Sequence, residues 1–480
     1  MMTDAYGLPI RGLLFGAGDR GMNAYGRFAL AHPDRFQFAA VAEPQAERRE
    51  RFARTHHISP EHCYSTWQEA LAAGRIADVV VNCTQDQMHY SSGMTALQAG
   101  YDMLLEKPIT PILNEAVELV RTAEQLGRRM MIGHVLRYTE FFKAVRAILQ
   151  SNELGQLVTV SWRENVAAYH MAHSYVRGNW RTSREAAPMI LAKCCHDLDL
   201  LTWYLGEPIQ ELSSTGGLRH FRVENAPAGA PARCTDGCPA EATCPFYAPG
   251  IYIQNLPIKY SLMRSDKAYL RRMGKLLVEK PQMMRNFAKV FPSLRAGTEY
   301  YGWPRSVITD HPEDERAVWQ ALREGPYGRC VYRCDNDVVD HQVVLMTTQS
   351  GVSVSLTMHG HSHEEGRTLR IDGSRATLLG KFSLSQTWLE VWDHKGYRRE
   401  HRRFSTELDQ DKSGHGGGDA GLMEAFVRML QGQADPLTSG RNVLESHLLA
   451  FAAEEARLEG SVVRMEAFRG RAGVNNQWAR

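Results

Sequence analysis

The chain has 480 residues, of which 43% are hydrophobic and 23% charged, and its formal net charge is +2. That length exceeds one typical core, so two domains are expected. The charge is too small to draw nucleic acid or a membrane surface, and no run of ~18 apolar residues could span a bilayer. Nine cysteines in a chain this long do not make a disulfide framework, which fits a reducing cytoplasm. The N-terminus enters a glycine-rich turn without a signal-peptide layout.

The first third alternates strands and helices. Gly12–Gly18 is a short apolar strand ending in glycines, and Gly21–His32 is a helix. Phe36–Pro44 is a second strand carrying Glu43 at its end, followed by the exposed helix AERRERFARTH. Ala77–Thr84 is a β-branched run of the kind buried on both faces of a parallel sheet. Three further segments continue the series: SSGMTALQAG, YDMLLEKP and NEAVELVRTAEQLG, before RRMMIGHVLRY closes it. Such alternation predicts right-handed crossovers and a doubly wound parallel sheet over residues 1–137.

Gly16-Ala17-Gly18-Asp19-Arg20-Gly21 is a GxGxxG that follows a strand and opens a helix, with Glu43 at the next strand end. This is the context of a dinucleotide-binding fingerprint. Gly16 permits the tight turn, Gly18 admits the pyrophosphate, and the helix N-terminus supplies donors near Asp19, Arg20 and Gly21. Glu43 suits the ribose diol of NAD, while Arg48 and Arg49 keep NADP open. Thr84, Gln85 and His89 after one strand, and Glu106 and Lys107 after another, lie where ligands of such sheets bind. Pro108 restricts Lys107 to an extended backbone, which aims it where nicotinamide and substrate meet.

The glycine loop, the Glu106-Lys107-Pro108 strand end, GHVLRY, and His196 and Asp199 in MILAKCCHDLDLLTWYLG together resemble the Gfo/Idh/MocA oxidoreductases, of the glucose–fructose oxidoreductase and inositol dehydrogenase type. The resemblance implies a Rossmann domain plus an α/β domain with an open-faced, mostly antiparallel sheet over 138–480. It implies NAD as cofactor, and a lysine and a histidine that contact the reacting hydroxyl. Family members often carry an aspartate four residues before the histidine. Here that position is Ala192, and the neighbouring Lys193 either supplies the missing polar role or is a helix-surface lysine. Asp199 completes the H-x-x-D and is assigned to the substrate side.

Oxidising a secondary alcohol needs a base near neutral pH, for which His196 is suited, and a cation for developing alkoxide charge, for which Lys107 is suited. Tyr169–Ser183 is rich in His, Tyr, Arg, Asn and Trp, which suits sugars. His173, Arg177, Asn179, Trp180 and Arg181 are the candidate substrate contacts, and Tyr138 is a further catalytic candidate at the domain junction. His415 and Asp419 either reach the site or serve caps and turns.

A cysteine-rich loop (about 233–250) contains Cys234, Cys238 and Cys244, and Cys330 and Cys334 follow later. Four thiolates suit a structural zinc, although the C-x3-C and C-x5-C spacings miss the usual knuckle. A basic, Met-rich helical insertion (about 258–296) has too few aromatics for a polynucleotide site and reads as a solvated or subunit-contact insertion. The expectation is a cytoplasmic homo-oligomer, dimer or tetramer, oxidising a carbohydrate or cyclic polyol with NAD. Two alternatives stand beside it. One is a redox glycosidase that oxidises position 3, eliminates the aglycone, adds water and reduces the ketone again. The other is an inactive, NAD-bound sensor, suggested by Ala192.

Overall fold

The computed structural model describes residues 9–290, 300–406 and 415–474. The first sheet contains β1 (Ile10–Phe15), β2 (Phe36–Ala42), β3 (Cys63–Tyr64), β4 (Val79–Asn82), β5 (Asp102–Leu105) and β6 (Met130–Ile132). Its strand order is β3-β2-β1-β4-β5-β6, and every pairing is parallel. β4 and β5 are buried along their whole length, as strands covered by helices on both faces must be. The order reverses beside β1, so a crevice opens at the carboxyl ends of β1 and β4.

The second sheet has nine strands: β7 (Leu157–Ala167), β8 (Ile209–Gly217), β9 (His341–Thr348), β10 (Ser353–Ser362), β11 (Gly366–Gly373), β12 (Ala376–Ser383), β13 (Thr387–Asp393), β14 (Arg398–Phe404) and β15 (Val462–Arg464). They lie in the order β14-β13-β12-β11-β7-β10-β9-β8-β15, antiparallel except for β7 with β10. Alternate residues of β9 and β10 are buried, the period-two signature of a sheet with one covered face. The expected pairing of a parallel Rossmann sheet with a mostly antiparallel second sheet is what the chain forms.

The two sheets are tied together by the C-terminal part of the chain. Ile132 Nα donates to the Thr438 carbonyl at 2.8 Å, and Met131 bridges Ser439. The helix that follows, Gly440–Glu459, buries Val443, Leu444, Leu448 and Leu449. The basic insertion forms three helices, Leu256–Arg264, Ala268–Glu279 and Pro281–Val290. Leu262, Leu270, Leu277 and Met284 make its own small apolar seam. The end of the insertion as read from sequence, 291–296, lies outside the described residues.

Candidate active site

The site is built at the carboxyl ends of β1, β4 and β5. Gly16 follows β1 with φ +85°, and a Cβ there would stand 2.6 Å from the Cys83 carbonyl oxygen. Only glycine fits that turn. A Cβ on Gly18 would meet nothing within 4 Å, so the loop has an open centre above a helix that starts at Arg20. That opening, at a helix N-terminus with no acidic residue in its first turn, fits a pyrophosphate. Glu43 is buried, and its carboxylate accepts from Ala17 Nα at 2.8 Å and Gln45 Nα at 3.0 Å. It therefore ties the glycine loop to the end of β2, with two further lone-pair directions for a ribose diol. Gly21 lies in the first turn of the helix, and Asp19 is exposed and accepts from Asn23. Thr84 is half-buried and Gln85 exposed beside this opening.

Three residues assigned to the cofactor are engaged within the protein. The Arg20 guanidinium pairs with Glu106 at 2.6 Å and with Asp419 at 2.8 Å. Glu106 is buried and also accepts from Tyr25 Oη at 2.5 Å; burial opposes its ionisation, but Arg20 outweighs this and holds it below the usual carboxylate range. His89 is fully buried between the Pro108 and Thr84 carbonyls, at 2.7 and 3.0 Å. It joins the two strand-end loops.

Lys107 is half-buried, and its Nζ donates to the Ala192 carbonyl at 2.9 Å. The backbone of Ala192 thus receives the lysine at the position where family members often have a carboxylate. His196 lies in the helix Cys195–Leu205, and its buried Nδ1 has no hydrogen-bond partner. Burial, and then the nearby Lys107 ammonium, hold this imidazole well below its ordinary pKa, so it is neutral at pH 7. His134 packs edge-on against it at 5.3 Å and against His447 at 5.4 Å. His415 approaches His196 from the solvent side with ring centroids 6.2 Å apart, and Asp419 pairs with His415 as well as Arg20.

Lys193 is no surface lysine. Its Nζ lies 2.7 Å from Glu365 and 3.3 Å from Glu164; burial would lower its pKa, but the two carboxylates raise it instead. Glu164, wholly buried on β7, also pairs with Arg367, which in turn holds Asp197. Burial pushes the Glu164 carboxyl up to about 8. A neutral Glu164 leaves two cations against two carboxylates, a balanced set that a low-dielectric interior requires. His170 reaches Glu365 at 3.0 Å, and Tyr175 stands close enough to Lys193 and Glu365 to feel their charges. His170, Tyr175, Glu164, Glu365 and His134 were not singled out from sequence. His170 and Tyr175 lie in the polar-aromatic stretch that drew attention, whereas Glu365 arrives from the β10–β11 turn with no local mark.

Other assigned residues are held by partners of their own. Tyr138 is buried with its hydroxyl on Thr438 at 3.1 Å, and burial raises it to about 12, so it supports the return of the chain. Asp199 is buried under a forked pair with Arg137, at 2.6 and 2.8 Å. His173 is buried against Tyr252, Tyr327 and Trp303. Arg177 is fully buried, donating to the Arg329 and Phe246 carbonyls. Trp180 donates to Asp86 and Arg181 pairs with Asp335, while Asn179 is exposed. The zinc expectation is also corrected. Among the described residues no three His, Cys, Asp or Glu side chains converge to hold a metal ion, and the Cys334 thiol donates to the Cys330 carbonyl.

Residues 10–134 match the oxidoreductase family with an NAD-binding Rossmann fold, and residues 142–261 match the GFO/IDH/MocA C-terminal domain. The oxidoreductase YteT of Bacillus subtilis is 20% identical over 391 residues, 78% of this chain and 77% of that protein. An inositol 2-dehydrogenase of Leifsonia xyli is 26% identical over 178 residues, and the 2,7-anhydro-N-acetylneuraminate hydratase of Escherichia coli is 22% identical over 149. These two matches span 36% and 31% of this chain but only 46% and 39% of those proteins. Among solved structures, an Agrobacterium radiobacter oxidoreductase in complex with NAD+, L-tartaric acid and magnesium superposes with a TM-score of 0.62 at 15% identity. The superposition covers 95% of this chain and 99% of that one. The Bordetella pertussis WlbA dehydrogenase, in complex with NADH and UDP-GlcNAcA, gives 0.59 at 15% identity, covering 95% and 98%. No helix among the described residues is long and apolar enough to cross a membrane. With both halves matched in order and the glycine loop, Lys107 and His196 brought to one crevice, this chain is an NAD-binding oxidoreductase of the Gfo/Idh/MocA family.

Proposed function

We propose that the protein oxidises a secondary hydroxyl of a carbohydrate or cyclic polyol, with NAD as the natural acceptor. The observation that carries this reading is a Lys107 fixed by the Ala192 carbonyl, near His196, whose buried Nδ1 has no hydrogen-bond partner. Gly16, Gly18, Gly21, Glu43, Thr84 and Gln85 are the residues that would hold NAD. NAD bound there would supply the hydride acceptor for oxidation of the carbinol carbon. His196 accepts the hydroxyl proton, which a neutral imidazole can do at pH 7. The Lys107 ammonium, already desolvated on one side, stabilises the oxygen as it gains charge. Asn179, Trp180, Lys193, His170 and Tyr175 are the side chains from which the hydroxyl-binding surface is drawn.

A second reading, the redox glycosidase, is favoured by one feature. His170, Glu365, Lys193 and Glu164 form a second acid–base set beside the first, and Glu164 sits near 8. Elimination and water addition need such a group in addition to His196. One assay separates the readings: sugars, polyols and aryl glycosides are incubated with NAD in heavy water, and NADH, aryl release and deuterium in the sugar are followed. NADH in proportion to ketone, with no aryl release and loss of turnover in His196→Asn, supports the dehydrogenase. Aryl release with deuterium at carbon 2 and no net NADH supports the glycosidase. Bound NAD with neither signal across the panel would sink both and leave a sensor.

A further inference from the structure

The reaction leaves the nitrogens of His134 without a role. His134 follows β6 and is fully buried, and neither its Nδ1 nor its Nε2 has a hydrogen-bond partner among the described residues. Buried polar atoms are seldom left so, because the contact they lost with water is not replaced. His447 packs against this ring at 5.4 Å, but its own nitrogens are engaged. Its Nε2 accepts from Ile109 Nα at 3.0 Å, and its Nδ1 meets the Val443 carbonyl at 3.1 Å. His196 and Asp199 are differently placed. The His196 ring is edge-on to His134 with centroids 5.3 Å apart, and the Asp199 carboxylate stands 3.7 Å from His134 Nδ1.

His196 and Asp199 are three residues apart in the helix Cys195–Leu205, a spacing that sets two side chains on one face. The fork from Arg137 takes one lone pair on each Asp199 oxygen, and further lone pairs remain. In His196 it is Nδ1 that is buried without a partner, so Nε2 is the nitrogen left to take a proton from substrate. A neutral imidazole has one N–H and one lone pair, and the partner of one nitrogen decides the state of the other. For Nε2 to be a base, Nδ1 must carry the hydrogen and needs an acceptor. At 3.7 Å the Asp199 contact is an approach and not yet a hydrogen bond, and such contacts tighten when a site is loaded.

We propose that His134 is a positioning residue. In the loaded site its Nδ1–H donates to Asp199 and its Nε2 accepts from His196 Nδ1–H, which keeps His196 Nε2 free. The inference rests on His196 as the base of the proposed oxidation. As His196 takes up the hydroxyl proton its Nδ1–H bond becomes charge-assisted and stronger. Asp199 holds the His134 ring in place, and no proton passes beyond His196.

The test uses the full chain with NAD bound and its histidines labelled with nitrogen-15. Ring nitrogen shifts, assigned by comparison with His196→Asn, report the His196 tautomer without any turnover. The Nδ1–H form is expected, and the Nε2–H form overturns the proposal. Kinetics on whichever sugar or polyol yields NADH give the second measurement. His134→Phe keeps a ring between His196 and His447 and removes both nitrogens. It should lower kcat by ~10-fold or more with KM and NAD affinity little changed, as when an orienting partner of the reacting group is lost. His134→Gln retains an acceptor and a donor and should regain part of that loss, whereas a packing role alone predicts no gain over phenylalanine. A His134→Phe protein as fast as the parent overturns the proposal, as does a His134→Gln protein no faster than His134→Phe. If the phenylalanine variant does not fold, the tautomer in the unaltered protein decides. Full turnover in His196→Asn sinks the oxidation reading and this proposal with it. A panel without NADH counts against that reading alone, since the tautomer still decides the place of His134.

Discussion

The Nζ of Lys107 donates to the backbone carbonyl of Ala192 at 2.9 Å, so main chain rather than a side-chain carboxylate fixes the lysine. A carbonyl orients the ammonium without neutralising it, which leaves a full positive charge for a developing alkoxide. Lys107→Ala should therefore lower turnover by ~100-fold or more while NAD still binds, since the glycine loop and Glu43 are untouched. Rate measurements beside a fluorescence titration of NAD decide it. Near-normal turnover would remove Lys107 from the chemistry.

Much of this arrangement is legible in the sequence, because its parts carry local marks. GxGxxG between strand and helix, an acidic strand end, and Glu-Lys-Pro after an apolar run each have a backbone reason visible in a few residues. What is not legible depends on where distant segments meet. Tyr138, Asp199, His89 and Arg20 look like site residues because they adjoin motifs, yet each is consumed by a buried partner: Thr438, Arg137, two carbonyls, and Glu106 with Asp419. Polar residues that brace a motif and polar residues that use it have the same local pattern. Glu365 was missed for the opposite reason, since it sits in a strand turn and gains meaning only from Lys193 and His170.

A preference for NAD over NADP is expected from Glu43. Arg48, which could have met a 2′-phosphate, pairs with Asp310 at 2.7 Å, and Arg49 donates to the Glu43 main-chain carbonyl at 2.5 Å. The ribose side therefore meets a carboxylate with both nearby cations engaged. NAD should bind at least ~10-fold more tightly than NADP, a difference of about 1.4 kcal/mol. Glu43→Gln keeps an acceptor for Ala17 Nα and removes the charge, so it should narrow the gap. Equal affinities in the unaltered protein, by titration of each cofactor, would refute the assignment.

Asp419 joins the two domains by pairing with Arg20. Asp419→Asn leaves Arg20 with Glu106 as its one carboxylate partner. Removing one member of a buried pair costs about 3–5 kcal/mol, and the partial exposure of Arg20 reduces this to about 1–3 kcal/mol. Denaturant unfolding should show that loss without a change in the far-ultraviolet spectrum of the folded protein. Glu106→Gln should lose more, since Glu106 also accepts from Tyr25. Two variants as stable as the parent would show that the network adds nothing.

Stability against pH should have its maximum near 6.5, because two opposed groups meet there. Burial, the first cause in each case, holds His134, His173 and His196 well below the ordinary imidazole value of 6.5, and His447 at about 3. Unfolding releases these rings to water, where they take up protons once the pH is below about 6.5. The unfolded chain then binds more protons than the folded one. Their contribution is thus complete above that pH and is lost as pH falls, by up to about 1.4 kcal/mol per pH unit for each histidine. Glu164 acts in the other direction. Burial raises it from 4.5 to about 8, so the folded state keeps a proton that the unfolded state releases above about 4.5. Its contribution is complete below 4.5 and is lost as pH rises through about 8. Four histidines outweigh one carboxyl below 6.5, and Glu164 acts alone of this set between 6.5 and 8. The melting temperature should therefore fall steeply on the acid side and gently on the alkaline side. Glu164→Gln should flatten the alkaline slope and leave the acid slope in place. A melting temperature that holds level from pH 6.5 down to 5 would show that the folded and unfolded states take up protons alike, and that burial does not hold these histidines below their ordinary value.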